Sequence, residues 1–176
     1  MHLQDGHVFL LSTRNMIFVR FLAQIIRLRA QFPGYAIKTI LLGNAGEFIS
    51  HAFDDYCLSI GIIIEHPVAH VHTQNGLAES LIKRLQLIAR PLLMRTKLSV
   101  SMWGHAILHA AALMRIRPTI YHEFSSLQLT FGQEPNIFHL RIFGCAMYGP
   151  IALPQRTKMG HKESWGYMLD MNLLQS

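Results

Sequence analysis

Apolar residues along this chain recur with two different periods, and the alternation between them sets the first expectation of architecture. Val8-Phe9-Leu10-Leu11-Ser12 is a short apolar run of strand character, after which Phe18, Leu22, Ile25 and Ile26 return at helical spacing until Pro33-Gly34. Ile37 to Leu42 is rich in branched residues and predicts a strand. Ile49, Ala52, Phe53, Tyr56, Cys57 and Ile60 then form a helical stripe ended by Gly61, and Ile62 to Glu65 predicts a further strand. Short strands alternating with helices imply parallel strands joined by crossover helices.

Beyond a histidine-rich loop from His66 to His72, a helix is predicted from about Asn75, with Pro91 expected to kink or end it because proline has no amide hydrogen. On that helix Glu79, Lys83, Gln86 and Arg90 share one side, whereas Leu77, Leu81, Leu85 and Ile88 share the other. A solvated face with a Glu79 to Lys83 pair and a nucleic-acid surface both fit this spacing. The next helix has Ser99 or Ser101 as cap, Trp103, Ala106, Ile107, Ala110 and Met114 as its buried stripe, and Arg117-Pro118 as its end. Leu140 to Tyr148 is strand-like, and from Gly149 onward a weakly structured tail is expected.

The 176 residues, 20.1 kDa, suffice for one domain with a sizeable core. A net charge of +6 and a pI near 9.7 favour an anionic partner, nucleic acid or an acidic surface. Hydrophobic residues make up 51% and mean hydropathy is +0.24, so either the core is large or apolar surface stays uncovered. No run reaches the length of a membrane span and the first residues lack signal-peptide character, so no membrane partner and an intracellular location are expected. Cys57 and Cys145 form no metal or disulfide pattern. His66, His70 and His72 crowd one loop without the cysteines or fourth ligand of a usual zinc pattern.

Two segments carry a more specific signal. Ile40-Leu41-Leu42-Gly43-Asn44-Ala45-Gly46-Glu47-Phe48 resembles the second catalytic motif of the integrases of copia-type retrotransposons, in which a strand ends in Asp-Asn followed by a small residue, Gly, Glu and Phe. His72-Thr73-Gln74-Asn75-Gly76-Leu77-Ala78-Glu79 resembles their third motif, and the spacing from Gly43 to Glu79 is that of the family. Leu140-Arg141-Ile142-Phe143-Gly144-Cys145 is similar to the segment that follows the core in copia-type polyproteins. The resemblance extends over roughly Val8 to Lys162.

The resemblance implies an α/β, ribonuclease-H-like integrase core over residues 1–118, a post-core segment with a short β element over 119–150, and a tail over 151–176. It also implies an incomplete sheet, because too few residues precede Val8 for the first two strands. Family members hold two Mg2+ or Mn2+ ions with three carboxylates. Here the second position is Gly43, which has no side-chain ligand, and the first Asp has no counterpart, since Asp5 stands in unlike surroundings. Glu79 alone remains in register. Glu47 and Glu65 are the candidate substitutes, Glu65 the better placed at a strand end; Asp54 and Asp55 read as solvated positions in mid-helix.

The implied role is therefore nucleic-acid (DNA) binding without strand transfer, in the nucleus, through Lys83, Gln86, Arg90, Asn75 and Asn44. Metal would not be held productively. The alternatives are a non-catalytic self-association module, with a homodimer as its form, and an element remnant without a role. Unpaired strand edges further lead us to expect poor solubility or dimerisation.

Overall fold

The computed structural model describes residues 6–13, 16–43, 51–66, 76–119, 122–138, 140–150 and 163–169. The chain divides into two compact units, one formed by Leu11–Ser80 and the other by Met1–Leu10 with Leu81–Ser176.

In the Leu11–Ser80 unit the order is α1 (Met16–Gln31), β1 (Thr39–Leu41), α2 (His51–Ser59) and β2 (Ile63–Glu65). β1 and β2 pair in parallel with Thr39 opposite Ile63 and Leu41 opposite Glu65, and α2 supplies the crossover that a parallel pair requires. Both strands turn their middle residue, Ile40 and Ile64, toward a core of Ile25, Leu42, Phe53, Cys57 and Ile62. Phe53 is the centre of that core. The rings of Phe18 and Phe21 lie 5.5 and 5.4 Å from it, at 73° and 50°.

The end of α2 shows how sequence dictates the turn into β2. Gly61 adopts φ +76°, which only glycine takes without a steric cost, and so lets its own amide donate to Leu58 O (3.0 Å) and the Ile62 amide to Cys57 O (2.8 Å). Cys57 and Ile62, joined by that bond, are both fully buried. Arg29 Nη2 at the end of α1 donates to Ile60 O at 3.4 Å, tying the two helix ends together.

The second unit is built on α3 (Gly76–Thr96, its first turn counted with the other unit) and α4 (Trp103–Ile116), joined through a 3-10 turn at Val100–Met102. Leu85 and Ala89 of α3, Ala106, Ala110 and Ala111 of α4, and Phe143 form its core, with Trp103, Ile107 and Met114 packed against it as the helical stripe predicts. Alanine at these positions leaves little side chain between the helices. Phe143 then fills the cluster, 5.3 Å from the His109 ring and edge-on at 62°. The hairpin of β3 (Pro118–Thr119) with β4 (His122–Ser125), helix α5 (Ser126–Phe131) and the antiparallel pair β5 (Ala146–Pro150) with β6 (Glu163–Tyr167) complete it.

Several expectations are corrected. Val8 to Ser12 is no strand: these residues have no strand partner among the described residues, and Val8 packs on the α3–α4 core instead. Of the two effects expected at Pro91, a kink or an end, the end does not occur: α3 runs on to Thr96. The carbonyl deprived of its donor belongs to Leu87, whose side chain is exposed, so the loss falls on the solvent side while Ala89, Leu92 and Leu93 hold the helix to the core. The tail is not uniformly without structure, since β6 pairs with β5 from Ala146↔Tyr167 to Pro150↔Glu163. Leu140 to Cys145 lies outside any strand, and only from Ala146 does the strand begin. Ile26, expected on the buried stripe of α1, is 57% exposed. Two helical turns, at Val100–Met102 and at α5, follow serines: Ser99 accepts from Ser101 N, and Ser125 Oγ from Gln128 N at 3.1 Å.

Candidate functional site

β1 is followed by Leu42, which is buried, and then by Gly43, partly buried and with no side chain to offer a cation. Glu65 stands in the neighbouring strand opposite Leu41, and its carbonyl accepts from the Leu42 amide at 3.0 Å. Its side chain is exposed on the sheet face opposite Ile40 and Ile64. That places one carboxylate beside the end of β1. Asn44, Glu47 and Asn75 lie outside the described residues, as do His70 and His72, whereas His66 is exposed.

Three or more carboxylate, imidazole or thiolate groups gathered to hold a cation are not found among the described residues, and a glycine occupies the position where the resemblance demands a ligand.

Glu79 occupies the first turn of α3 and Arg95 the last, each the sign that the helix dipole favours at that end. Between them the helix divides as its spacing predicts. Leu85 and Ala89 are buried, Leu81, Ile88 and Leu92 are packed on the core, and Lys83 and Arg90 are exposed, with Glu79 and Gln86 partly covered. Leu77 departs from that division: it is 68% exposed, because the core along α3 begins a turn later at Leu81.

Lys83 and Arg90 fall within about 20° of each other around the helix axis, and Arg84 and Arg95, both exposed, make a second row at a similar mutual angle. Exposed Leu87 and Met94 lie between the rows. The second row and its apolar filling are absent from the expectation for this face; the signal was the sevenfold spacing of Leu87 and Met94, which a search for buried stripes passes over. Such an arrangement presents four cations on a broad, solvent-facing side of one helix.

Other candidate groups are structural. Cys57 is buried, and burial, followed by the charge of Asp54, pushes its thiol above the ordinary value. Asp55 is exposed as expected, but Asp54 is partly buried, with Oδ1 shielded from solvent and lacking a hydrogen bond among the described residues. Arg115 is buried near the end of α4 rather than displayed, whereas Arg117 is exposed. No helix among the described residues is long and apolar enough to cross a membrane.

Comparison with known proteins adds the ancestry. No family model matches the chain. It is 30% identical over 156 residues to the retrovirus-related Pol polyprotein from transposon TNT 1-94 of Nicotiana tabacum, covering 88% of this chain and 12% of the relative. It is 30% identical over 141 residues to the retrovirus-related Pol polyprotein from transposon RE2 of Arabidopsis thaliana, covering 80% of this chain and 10% of that protein. In fold it is similar to a chain of the simian T-cell lymphotropic virus intasome in complex with PP2A regulatory subunit B56 gamma, with a TM-score of 0.50 at 15% identity over 85% of this chain and 52% of the other. The sequence relatives span most of this chain, while the chain spans only about a tenth of their length. Over most of its length the chain is thus a relative of retrovirus-related Pol polyproteins, matching a stretch of about a tenth of theirs.

Proposed function

We propose that the chain is an integrase-core segment of a copia-type Pol polyprotein that binds DNA through the outer side of α3 and does not catalyse strand transfer. In this reading β1 and β2 are two strands of a ribonuclease-H-like sheet, and Gly43 occupies the place of its second metal ligand. The observation that carries the binding half is the double row of Lys83 with Arg90 and Arg84 with Arg95 on exposed positions. The observation that carries the catalytic half is the missing side chain at Gly43. The site of action in this reading is the nucleus.

Phosphate contacts release counterions, so binding to a labelled duplex should weaken steeply between about 50 and 200 mM salt, with a slope that falls by about 0.9 for each cation removed from contact. Lys83→Glu with Arg90→Glu should lower both affinity and slope. An affinity flat across that range would sink the binding half. In a strand-transfer or nuclease assay with Mg2+ or Mn2+ the chain should be silent, and Gly43→Asp alone should leave it silent because one further carboxylate would still be wanting. Turnover that Glu79→Gln abolishes would overturn the catalytic half.

A further inference from the structure

The outer side of α1 is apolar where a surface helix is ordinarily charged. Met16, Val19, Ala23, Ile26 and Ala30 recur at alternating intervals of three and four, the spacing of the seam of a coiled coil, and all are exposed, Val19 by 54% and Ile26 by 57%. They centre about 140° around the helix from Ile25, which is buried in the unit's own core, so the two stripes are separate surfaces on one helix.

The charges beside this seam are of one sign. Arg20 and Arg27 each follow a seam residue by four positions and border it along one edge, Arg29 lies toward the other, and the helix contains no acidic residue. A second copy packed on the same seam would bring guanidinium groups against guanidinium groups. A phosphate backbone would meet apolar side chains along the centre line. The surface that complements both the seam and its border is an amphipathic helix with leucine-like residues along its stripe and carboxylates beside it.

We infer that α1 is a docking face for an acidic amphipathic helix of a protein partner, independently of whether α3 binds nucleic acid. The probe is a synthetic peptide of about three heptads with Leu at the seam and Glu at the flanking positions, compared with the same peptide carrying Lys. Mutual repulsion keeps either peptide from pairing with itself. In fluorescence anisotropy with the full chain, the Glu peptide should bind at least about tenfold more tightly than the Lys peptide. Ile26→Glu should abolish binding, and Arg20→Glu with Arg27→Glu should invert the preference while circular dichroism and melting stay unchanged. The charge inversion keeps the test decisive even where Ile26→Glu disturbs the helix. Equal binding of the two peptides, or none, overturns the inference. So does a chain that sediments as a dimer broken by Ile26→Glu, which would make a second copy the occupant, or a DNA duplex that displaces the Glu peptide from α1.

Discussion

Gly144→Ala should cost the α3–α4 unit about 2–4 kcal/mol, far more than an added methyl group ordinarily does. Gly144 has φ +74°, and a side chain held there is strained by roughly 1–2 kcal/mol. Restriction of the unfolded chain returns about 0.4–1 kcal/mol of this. The larger part is steric. A Cβ at this position would lie 2.7 Å from Thr96 Cγ2, 2.9 Å from Thr96 Cβ and 3.1 Å from Leu98 Cδ1. Thr96 cannot simply swing away, since its χ1 is stiff and its hydroxyl donates to Leu92 O at 2.9 Å and to Leu93 O at 3.2 Å, so overpacking of about 1–3 kcal/mol is added. The Gly144 amide donates to Met168 O (2.8 Å) and the Met168 amide to Cys145 O (2.9 Å), which blocks the compensating backbone shift. Both tryptophans, Trp103 and Trp165, belong to this unit, so urea unfolding followed by tryptophan fluorescence reads the effect there. Thr96→Ser removes the nearest contact, and in the double variant it should return about 1 kcal/mol as a coupling energy. A Gly144→Ala protein within about 0.5 kcal/mol of the parent would refute the packing argument, and a zero coupling energy would refute the role given to Thr96.

Three further outcomes are expected. Because Cys57 binds its proton more tightly when folded, its contribution is complete below the ordinary thiol value of 9.0 and is lost as pH rises through the elevated native value; stability of the parent should therefore fall faster above about pH 9 than that of Cys57→Ala, and parallel curves would contradict this. Ser125→Ala removes the acceptor that caps α5 from a position 2% exposed, and should cost about 1 kcal/mol in the same urea assay. Arg115→Met should be better tolerated than Arg115→Ala in thermal melts, since the aliphatic stem of this buried residue packs and an alanine leaves a void.

The elements legible in the sequence are those whose cause is local. α1, α2 and α4 follow from helical spacing, and the end of α2 follows from one glycine whose conformation closes two backbone bonds. The strands separate according to partner. Ile37 to Leu42 and Val8 to Ser12 look alike in composition, yet only the former contains a strand, because pairing depends on a distant segment, here Ile63 to Glu65. The same dependence hides β6, whose partner β5 lies across the connection 151–162. Periodicity also identifies a face without telling how far a core reaches along it, which is why Leu77 and Ile26 are exposed. In the candidate site, the identity of Gly43 and the division of α3 were legible. The outer stripe of α1 was not, because an apolar position carries no mark of whether its neighbour belongs to the same molecule.

The two parts of the candidate site stand under different constraints, and the difference favours binding over chemistry. Position 43 follows the core residue Leu42 just past β1 and belongs to no cluster, so in the proposed reading a carboxylate exchanged there for hydrogen would remove a ligand without opening a cavity. Folding does not hold such a ligand in place. Lys83, Arg90 and Arg95 are likewise exposed and outside the core, whose residues Leu85, Ala89 and Leu92 anchor the helix. Four cations against one carboxylate, Glu79, raise the local positive potential along α3 and so offset the desolvation that an approaching phosphate must meet. A surface of this kind works by adding contacts, each weak, so the loss of any one leaves the rest effective. A two-metal centre works only when every ligand is present, so in the proposed reading the glycine at position 43 suffices to disable it.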